Sequence, residues 1–344
     1  MLVTGYVNES AMSTLKEAYS AGTALFIVAM VAFPAATAIA QSAGAYPLKP
    51  IKIISPFAPG GANDIIARIV GQKLNEQWGQ PVIIENRGGA SGTIGVEACA
   101  RAPADGYTIV LGGNSNLALA PHLYPKLPYD PLRDLVPIVS AAVTPYMLAI
   151  NPNVPARNVA ELVRLARSRR DLLSYGSSGA GSMSHLGGEL FKAATGAGLV
   201  HIPYKGTAPS LSGMISGEVD MMIADVLIVE PHAKSGKLRL LAATGVRRSN
   251  VFPQSPTMIE AGLKDYVVEG KFGFVAPAGT PKDIVNKLNA GIIAALKAPD
   301  VKRRFDQLGY EAIGDTPEQY AAALKADHEL LGRIVRKAGI KADL

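Results

Sequence analysis

The chain has 344 residues, of which 48% are hydrophobic, and its formal net charge is +6 at pH 7. That length is enough for two domains with cores of ordinary size. The basic residues are scattered rather than gathered in a stripe with aromatic side chains, which argues against nucleic-acid binding. Cys99 is the only cysteine, so an internal disulfide is excluded, and its apolar neighbours predict a buried structural thiol.

The first 40 residues have the pattern of an export signal. The apolar run Ala21–Phe33 is too short to span a bilayer comfortably but matches the hydrophobic region of a secretory signal. Ala38-Ile-Ala40 then supplies the small residues that a signal peptidase recognises. We predict a signal peptide over residues 1–40, cleaved after Ala40, and a periplasmic mature protein; Met1 and Met12 are both candidate start residues.

Strand and helix patterns alternate after this leader. The first part predicts strands at 51–55, 81–85 and 107–111 and helices at 63–78 and 92–101. This alternation is typical of a parallel sheet covered by helices on both faces. The proline-rich stretch Pro121–Pro137 interrupts it, and we interpret that stretch as a crossing between lobes, followed by a hinge strand at Ile138–Val143.

The same alternation resumes after the crossing. Strands are predicted at 147–150, before Tyr175 and at 200–204, 219–224 and 238–244, and helices at 184–195, from Asn158 and from Thr207. Phe272–Pro277 is predicted to return to the first lobe, and capping patterns at Thr280 and Thr316 begin two further helices. A chain that crosses twice between lobes has a natural hinge.

Two glycine-rich loops each join an apolar strand to an amphipathic helix. They lie between Pro56 and Asp64 and between Ser177 and His185. The first turn of a helix has unpaired N–H groups and a partial positive charge, and glycine lets an anion approach the backbone closely. Neither loop contains the lysine of a nucleotide P-loop. The loops are therefore either an anion cradle or ordinary turns of an α/β protein.

Several polar residues in or near these loops allow more than one role. Ser182 and His185 stand three residues apart at a helix start, where they could cap the helix, contact a ligand or form a hydrolase pair, although no Gly-x-Ser-x-Gly motif occurs. Asp64 could cap its helix, and Asp225 at a strand end could receive an ammonium or hydroxyl group or remain solvated. The histidine spacing argues against a metal site, and no cofactor is expected.

A series of motifs resembles one known family over residues 46–341. In chain order they include Tyr46-Pro-x-Lys-Pro-Ile51, Pro56-Phe-x-Pro-Gly-Gly-x-x-Asp64, Gly79-Gln-Pro-Val-x-Ile-Glu-Asn-Arg87, Ala104-Asp-Gly-Tyr107, His201-x-Pro-Tyr-Lys-Gly206 and Ala276-Pro-Ala-Gly-Thr-Pro281. The chain thereby resembles the Bug-type (TctC-like) solute-binding receptors of tripartite tricarboxylate transporters.

The resemblance implies an α/β, two-lobed periplasmic binding protein of type II, a Venus flytrap whose lobes are mixed, mainly parallel sheets flanked by helices. We expect lobe 1 at 41–142 and 267–344 and lobe 2 at 143–266. A monomeric, non-enzymatic receptor would close on a small carboxylate, partly through ordered water molecules, and deliver it to membrane subunits of a tripartite tricarboxylate transporter. The implied binding residues are Phe57, Ala58, Gly60, Gly61, Asp64, Asn114, Ser115, Asn116, Ser178, Gly179, Ser182, His185, Tyr204 and Asp225.

Lys271 stands where many members of the family have tryptophan. If it faces the cleft it favours a dianion, and otherwise it lies at the surface. Two other functions remain open from the sequence: a sensor domain, which a neighbouring sensor-kinase gene would favour, and a hydrolase, whose turnover of an activated ester would disappear on Ser182→Ala.

Overall fold

The computed structural model describes residues 46–168 and 171–340. The predicted signal peptide at residues 1–40 lies outside them. Within the described residues the strands are β1 Ile51–Ser55, β2 Val82–Asn86, β3 Thr108–Gly113, β4 Leu135–Ile150, β5 Leu173–Ser177, β6 Leu199–Pro203, β7 Met221–Asp225, β8 Arg239–Ala243, β9 Glu269–Pro277 and β10 Glu311–Ala312.

Helices lie between these strands near the places that the sequence predicts, and the structure adds helices at 120–123, 226–234 and 299–308 that the sequence does not predict. The α-helices are α1 Ala62–Trp78, α2 Thr93–Ala100, α3 Ala120–Leu123, α4 Val159–Ser168, α5 Met183–Thr195, α6 Thr207–Ser216, α7 Val226–Lys234, α8 Lys282–Lys297, α9 Pro299–Leu308 and α10 Pro317–Ala338. No helix of the described part is both long and apolar enough to cross a membrane.

The strands form two mixed sheets that share β4. The path runs β2-β1-β3-β9-β4-β7-β5-β6, and β8 and β10 also pair with β4. β1 is parallel to β2 and β3, and β5 is parallel to β6 and β7, whereas the pairs around β4 and β9 are antiparallel. We call the elements around β1, β2, β3 and β9 the first lobe and those around β5, β6, β7 and β8 the second lobe.

β4 is the strand that joins the lobes. It is one continuous strand of 16 residues, where the sequence predicts two strands and a crossing before them. Pro137 and Pro145 suggested breaks, but the ladder accommodates Pro137 through a register shift against β9, between Pro137 and Val139. The lobe boundaries predicted near residues 142 and 266 stay predictions. β4 runs through both sheets, so this strand has no break that would mark a boundary at residue 142.

The hydrophobic core is continuous between the lobes. One cluster of buried side chains contains Ile54 and Val110 of the first lobe together with Tyr175 and Leu186 of the second. Cys99 belongs to this cluster with no exposed surface, and burial raises the pKa of its thiol. The structural role predicted for Cys99 is therefore confirmed.

Helix caps follow the predicted pattern in one of the three places where threonine stands at a helix start. Thr316 and Gln319 form a capping box at the start of α10. Thr207 is instead the first helical residue of α6, and Gly206 takes the cap position. The hydroxyl of Thr280 donates to the Pro277 carbonyl at 2.8 Å, so it does not cap α8, which begins after Pro281.

Candidate functional site

Asp64 organises the first glycine loop rather than leaving its carboxylate free. The carboxylate accepts hydrogen bonds from the Gly60 N–H at 3.0 Å and the Asn86 amide at 2.9 Å, and it pairs with Arg68 at 2.9 Å. Burial alone would raise the pKa of Asp64, but the Arg68 guanidinium and these two donors hold it below its ordinary value. The loop thus carries no uncompensated negative charge at this position.

The N-terminal end of α1 has no side-chain cap and follows an exposed loop. Gly61 precedes the helix in an extended conformation and provides no side-chain cap, while Ala58 and Gly60 are exposed. Because N–H groups of a first helical turn have no intrahelical acceptors, this end of α1 can donate to an anion. The Phe57 carbonyl is already used, since it accepts from the Asn86 amide.

The helical turn Ser115–Leu119, which follows β3, contains a buried side-chain amide nitrogen with no hydrogen-bond partner in the described residues. Asn114 is occupied: its amide donates to the Glu269 carbonyl at 2.9 Å and ties this loop to β9. The side-chain oxygen of Asn116 accepts from the Gly113 N–H at 3.0 Å, but its Nδ2 is buried without a hydrogen-bond partner in the described residues. Ser115, 7% exposed, lies between them.

Asn116 and Phe57 meet at the turn that precedes α2. A Cβ atom built on Gly92 would lie 2.5 Å from Asn116 Nδ2 and 3.0 Å from the Phe57 ring. Three first-lobe segments therefore converge: the glycine loop after β1, the turn at 90–92 and the helical turn at 115–119. An unpaired buried donor at this point requires an acceptor from water or a ligand.

The second glycine loop forms a closed network of hydroxyl groups. Ser182 caps α5 by accepting from the His185 N–H at 3.2 Å, and its hydroxyl lies 2.9 Å from that of Ser184. The Ser184 hydroxyl also accepts from the Ser178 N–H at 2.9 Å. The Gly179 carbonyl accepts from the Ser182 N–H. The structure thus brings Ser178, Gly179, Ser182 and His185 together in one network, to which Ser184 also belongs, and their contact with a ligand stays a prediction.

The imidazole rings of His185 and His201 stack on each other beside this network. His185 Nδ1 accepts from the Gly181 N–H at 3.1 Å, and its ring stacks on His201 with centroids 4.1 Å apart. His201 Nε2 lies 2.6 Å from the Ser177 hydroxyl, and His201 also stacks on Tyr175. The sequence reasoning missed His201 as a site residue; its signal was the strand pairing that sets His201 beside Tyr175.

Tyr204 follows β6, and Asp225 ends β7. The Tyr204 hydroxyl is directed towards Gly213 and Glu218, and burial with the nearby Glu218 raises its pKa. Asp225 caps α7 by accepting from the Leu227 N–H at 2.9 Å, and it accepts from the Tyr310 hydroxyl at 3.3 Å. Burial raises the pKa of Asp225 to about 6, and its Oδ2 has no hydrogen-bond partner in the described residues.

Lys271 is engaged with α10. Its ammonium lies 2.6 Å from the Asp327 carboxylate, and its side chain is 44% exposed. A separate surface pocket of about 380 Å³ lies between α8, α9 and β10 and contains none of the predicted binding residues. In the described part of the chain no group of three or more His, Cys, Asp or Glu side chains is placed to hold a metal ion.

The two lobes touch at their loops. The Ser91 hydroxyl donates to the Ala180 carbonyl at 2.8 Å, and the Tyr124 hydroxyl donates to the same carbonyl at 3.3 Å. Since Ser91 adjoins Gly92, these contacts place the segment around Phe57 and Asn116 close to the second glycine loop. Two sheets joined by β4, with polar loops meeting between them, define the class of two-lobed periplasmic binding proteins.

Within this class, the chain belongs to the tripartite tricarboxylate transporter family receptors (TctC), whose family model matches residues 66–340. It is 36% identical to BugT of Bordetella pertussis over 318 residues, which are 92% of this chain and 98% of BugT. It is 37% identical to a protein encoded between tcbD and tcbE in a Pseudomonas species, covering 88% of this chain and 90% of that protein.

Solved structures agree with this assignment. Rpa4515 of R. palustris, determined with adipate, has a TM-score of 0.82 and 34% identity, covering 86% of this chain and 99% of that one. MatC of Rhodopseudomonas palustris, determined with bound malate, has a TM-score of 0.78 and 31% identity, covering 84% and 100%. The matching family is one of receptors, and BugD, with a TM-score of 0.81 and 35% identity, is a periplasmic binding protein. In this chain the Ser182 hydroxyl accepts from the His185 N–H as a helix cap.

Proposed function

We propose that this protein is a periplasmic receptor that captures a small carboxylate between its lobes and delivers it to the membrane subunits of a tripartite tricarboxylate transporter. The observation that carries the proposal is the buried Asn116 Nδ2 beside the first glycine loop, which has no hydrogen-bond partner among the described residues. Together with the uncapped end of α1 it offers hydrogen-bond donors, and the nearby Asp64 carboxylate is neutralised by Arg68. Such a surface favours an anion.

The relatives support a carboxylate as that anion. Adipate and malate are the ligands named for Rpa4515 and MatC. The carboxylate group shared by such ligands would bind at the first lobe, with Phe57, Ala58, Gly60, Gly61, Ser115 and Asn116 around it. The second lobe, through Ser178, Gly179, Ser182 and His185, would contact the remainder of the ligand. We propose a monomer exported by cleavage after Ala40.

Binding is tested by isothermal titration against mono-, di- and tricarboxylates and amino acids. We expect one site per chain and a loss of affinity of roughly 10- to 150-fold in Asn116→Asp, because the change replaces a donor to the ligand with a second carboxylate while keeping the oxygen that accepts from Gly113. Asn153→Asp is the matched control, since it adds the same charge at an exposed position.

Two results would count against the proposal. If no member of the panel binds, the receptor function is wrong. If Asn116→Asp and Asn153→Asp bind equally well, the site is elsewhere. Delivery is tested separately by uptake of the bound carboxylate in cells: loss of uptake on deleting either this receptor or its membrane subunits supports a shared pathway, whereas uptake unaffected by deleting the receptor contradicts it.

A further inference from the structure

One carbonyl group of the second lobe accepts two hydrogen bonds from the first. Ser91 lies in the turn between β2 and α2, and Tyr124 follows α3, so the two hydroxyl donors come from different elements. Both reach the Ala180 carbonyl, at 2.8 Å and 3.3 Å. A single surface carbonyl with two donors from separate elements is held in one position more firmly than one with a single donor.

The backbone around Ser91 has a conformation that L-residues rarely adopt. Ala90 has φ 45° and Ser91 has φ 53°, and they stand between Gly89 and Gly92, which also have positive φ. Non-glycine residues persist in such conformations where surrounding contacts over-determine them. Here the contact that directs the Ser91 side chain is the bond to the other lobe.

Ala180 belongs to the second glycine loop, which carries the second-lobe residues that we propose to contact the ligand. It lies between Gly179, whose carbonyl accepts from the Ser182 N–H, and Gly181, whose N–H donates to His185. A Cβ atom on Gly181 would come within 3.3 Å of Leu123 and Tyr124, so the two lobes are in close contact here. Fixing Ala180 therefore fixes the loop that presents Ser178 and Ser182.

We propose that Ser91 and Tyr124 are positioning residues that form a latch on the Ala180 carbonyl. We call the arrangement in which Ser91 and Tyr124 reach the Ala180 carbonyl the closed arrangement. The latch stabilises this arrangement, holds the second glycine loop in its binding conformation and slows release of the ligand. It breaks when the lobes separate, because donors and acceptor lie on opposite lobes. The effect on ligand release rests on the proposed function, whereas the effect on closure of the ligand-free protein does not.

Closure is measured by spin-label distance distributions in the ligand-free protein. Cysteines are introduced at Gln72 in α1 and Ser212 in α6, which are exposed on opposite lobes, while Cys99 is buried and stays unlabelled. We expect Ser91→Ala and Tyr124→Phe each to lower the ratio of closed to open protein by roughly 2- to 10-fold, as the loss of one neutral hydrogen bond requires. The double variant should lower it further.

Tyr46→Phe is the matched control for Tyr124→Phe. It also removes a tyrosine hydroxyl that donates to a carbonyl, that of Gly106 at 2.6 Å, but both partners belong to the first lobe. We expect this control to lower thermal stability and to leave the closed-to-open ratio unchanged. A purely structural role for Ser91 and Tyr124 would give the same pattern as the control and would overturn the latch.

Ligand kinetics provide the second readout. With malate and adipate as probes, we expect the double variant Ser91→Ala/Tyr124→Phe to raise koff several-fold with little change in kon, because the latch forms after encounter. Unchanged koff together with an unchanged closed-to-open ratio would refute the latch. If neither probe nor any other carboxylate binds, the proposed function fails, but the distance measurement on the ligand-free protein still decides whether the latch exists.

Discussion

Asp225 is a buried carboxyl group at the point where the two lobes meet. It is 7% exposed, and the groups that face it are Thr144 and Tyr146 of β4, the Leu227 N–H of α7 and the Tyr310 hydroxyl before β10. None of these groups carries a positive charge, so burial raises the pKa of Asp225 to about 6. The sequence left a solvated strand end as one alternative, and burial excludes it; the ligand contact stays a prediction.

This pKa has a consequence for stability. Because the folded value lies above the ordinary value of 3.8, the folded protein binds this proton more tightly than the unfolded chain does. The stabilisation is complete below pH of about 4 and is lost as the pH rises through about 6, a change of roughly 3 kcal/mol in the free energy of unfolding.

Asp225→Asn tests this consequence by denaturant unfolding between pH 4 and 8. Asparagine can still accept from the Leu227 N–H and the Tyr310 hydroxyl, so the cap is retained. We expect the variant to gain stability relative to the wild type as the pH rises, and other titrating groups cancel in the difference. Parallel pH profiles for the two proteins would contradict a raised pKa.

The amide residues show what the sequence could and could not predict about the site. The family resemblance implied that Asn114 and Asn116 contact a ligand; both follow β3, and the ligand contact stays a prediction. Which of the two amides can donate to a ligand depends on long-range contacts. The Asn114 amide already donates to the carbonyl of Glu269, which is 155 residues away in the sequence. Long-range pairing of this kind leaves no local pattern in the sequence, so the distinction had to come from the structure.

At the scale of elements, the alternation of strands and helices was predictable because each element carries its own hydrophobic period. β4 was not, because Pro137 and Pro145 suggest breaks in any local reading. Tertiary pairing with β9, through the register shift after Pro137, allows the strand to continue. The contact between Ser91 and Ala180 was also absent from the sequence reasoning, because the partners are 89 residues apart.

Neighbouring glycines in the first loop differ in what they tolerate. Gly60 has φ +87°, whereas Gly61 has φ −86° and its nearest neighbour to an added Cβ lies at 4.0 Å. We expect Gly60→Ala to lower the free energy of unfolding by about 1 kcal/mol and Gly61→Ala to leave it nearly unchanged. Denaturant unfolding of both variants checks this difference.

Gly61, whose substitution by alanine should hardly change stability, is expected to affect ligand affinity. If a carboxylate approaches the backbone at the start of α1, Gly61→Ala weakens binding of that carboxylate while the protein remains as stable as the wild type. Titration calorimetry measures this effect. Wild-type affinity in Gly61→Ala would show that close backbone approach at this position is not part of binding.

At the scale of the whole molecule, the two lobes of the described residues share a strand and a core. β4 contributes to both sheets, and one apolar cluster includes side chains from both. We expect a single cooperative thermal transition with equal calorimetric and van't Hoff enthalpies. A ligand at about 100 times its dissociation constant should stabilise the folded state by roughly 2.7 kcal/mol and move that single transition upward. Two separate transitions would show that the lobes unfold independently.

The pairing of β4 with strands on both sides has a further consequence for association between copies of this protein. One side of the strand is covered by β9 and β8, and the other by β7 and β10, with the Asp315 carboxylate accepting from the Ser140 N–H between them. A strand with an open side is a template for aggregation and for the exchange of lobes between chains. At 142–143 and at 147–150 β4 is therefore paired on both sides within the described residues, and these parts of the strand offer no free edge at which a second chain could pair.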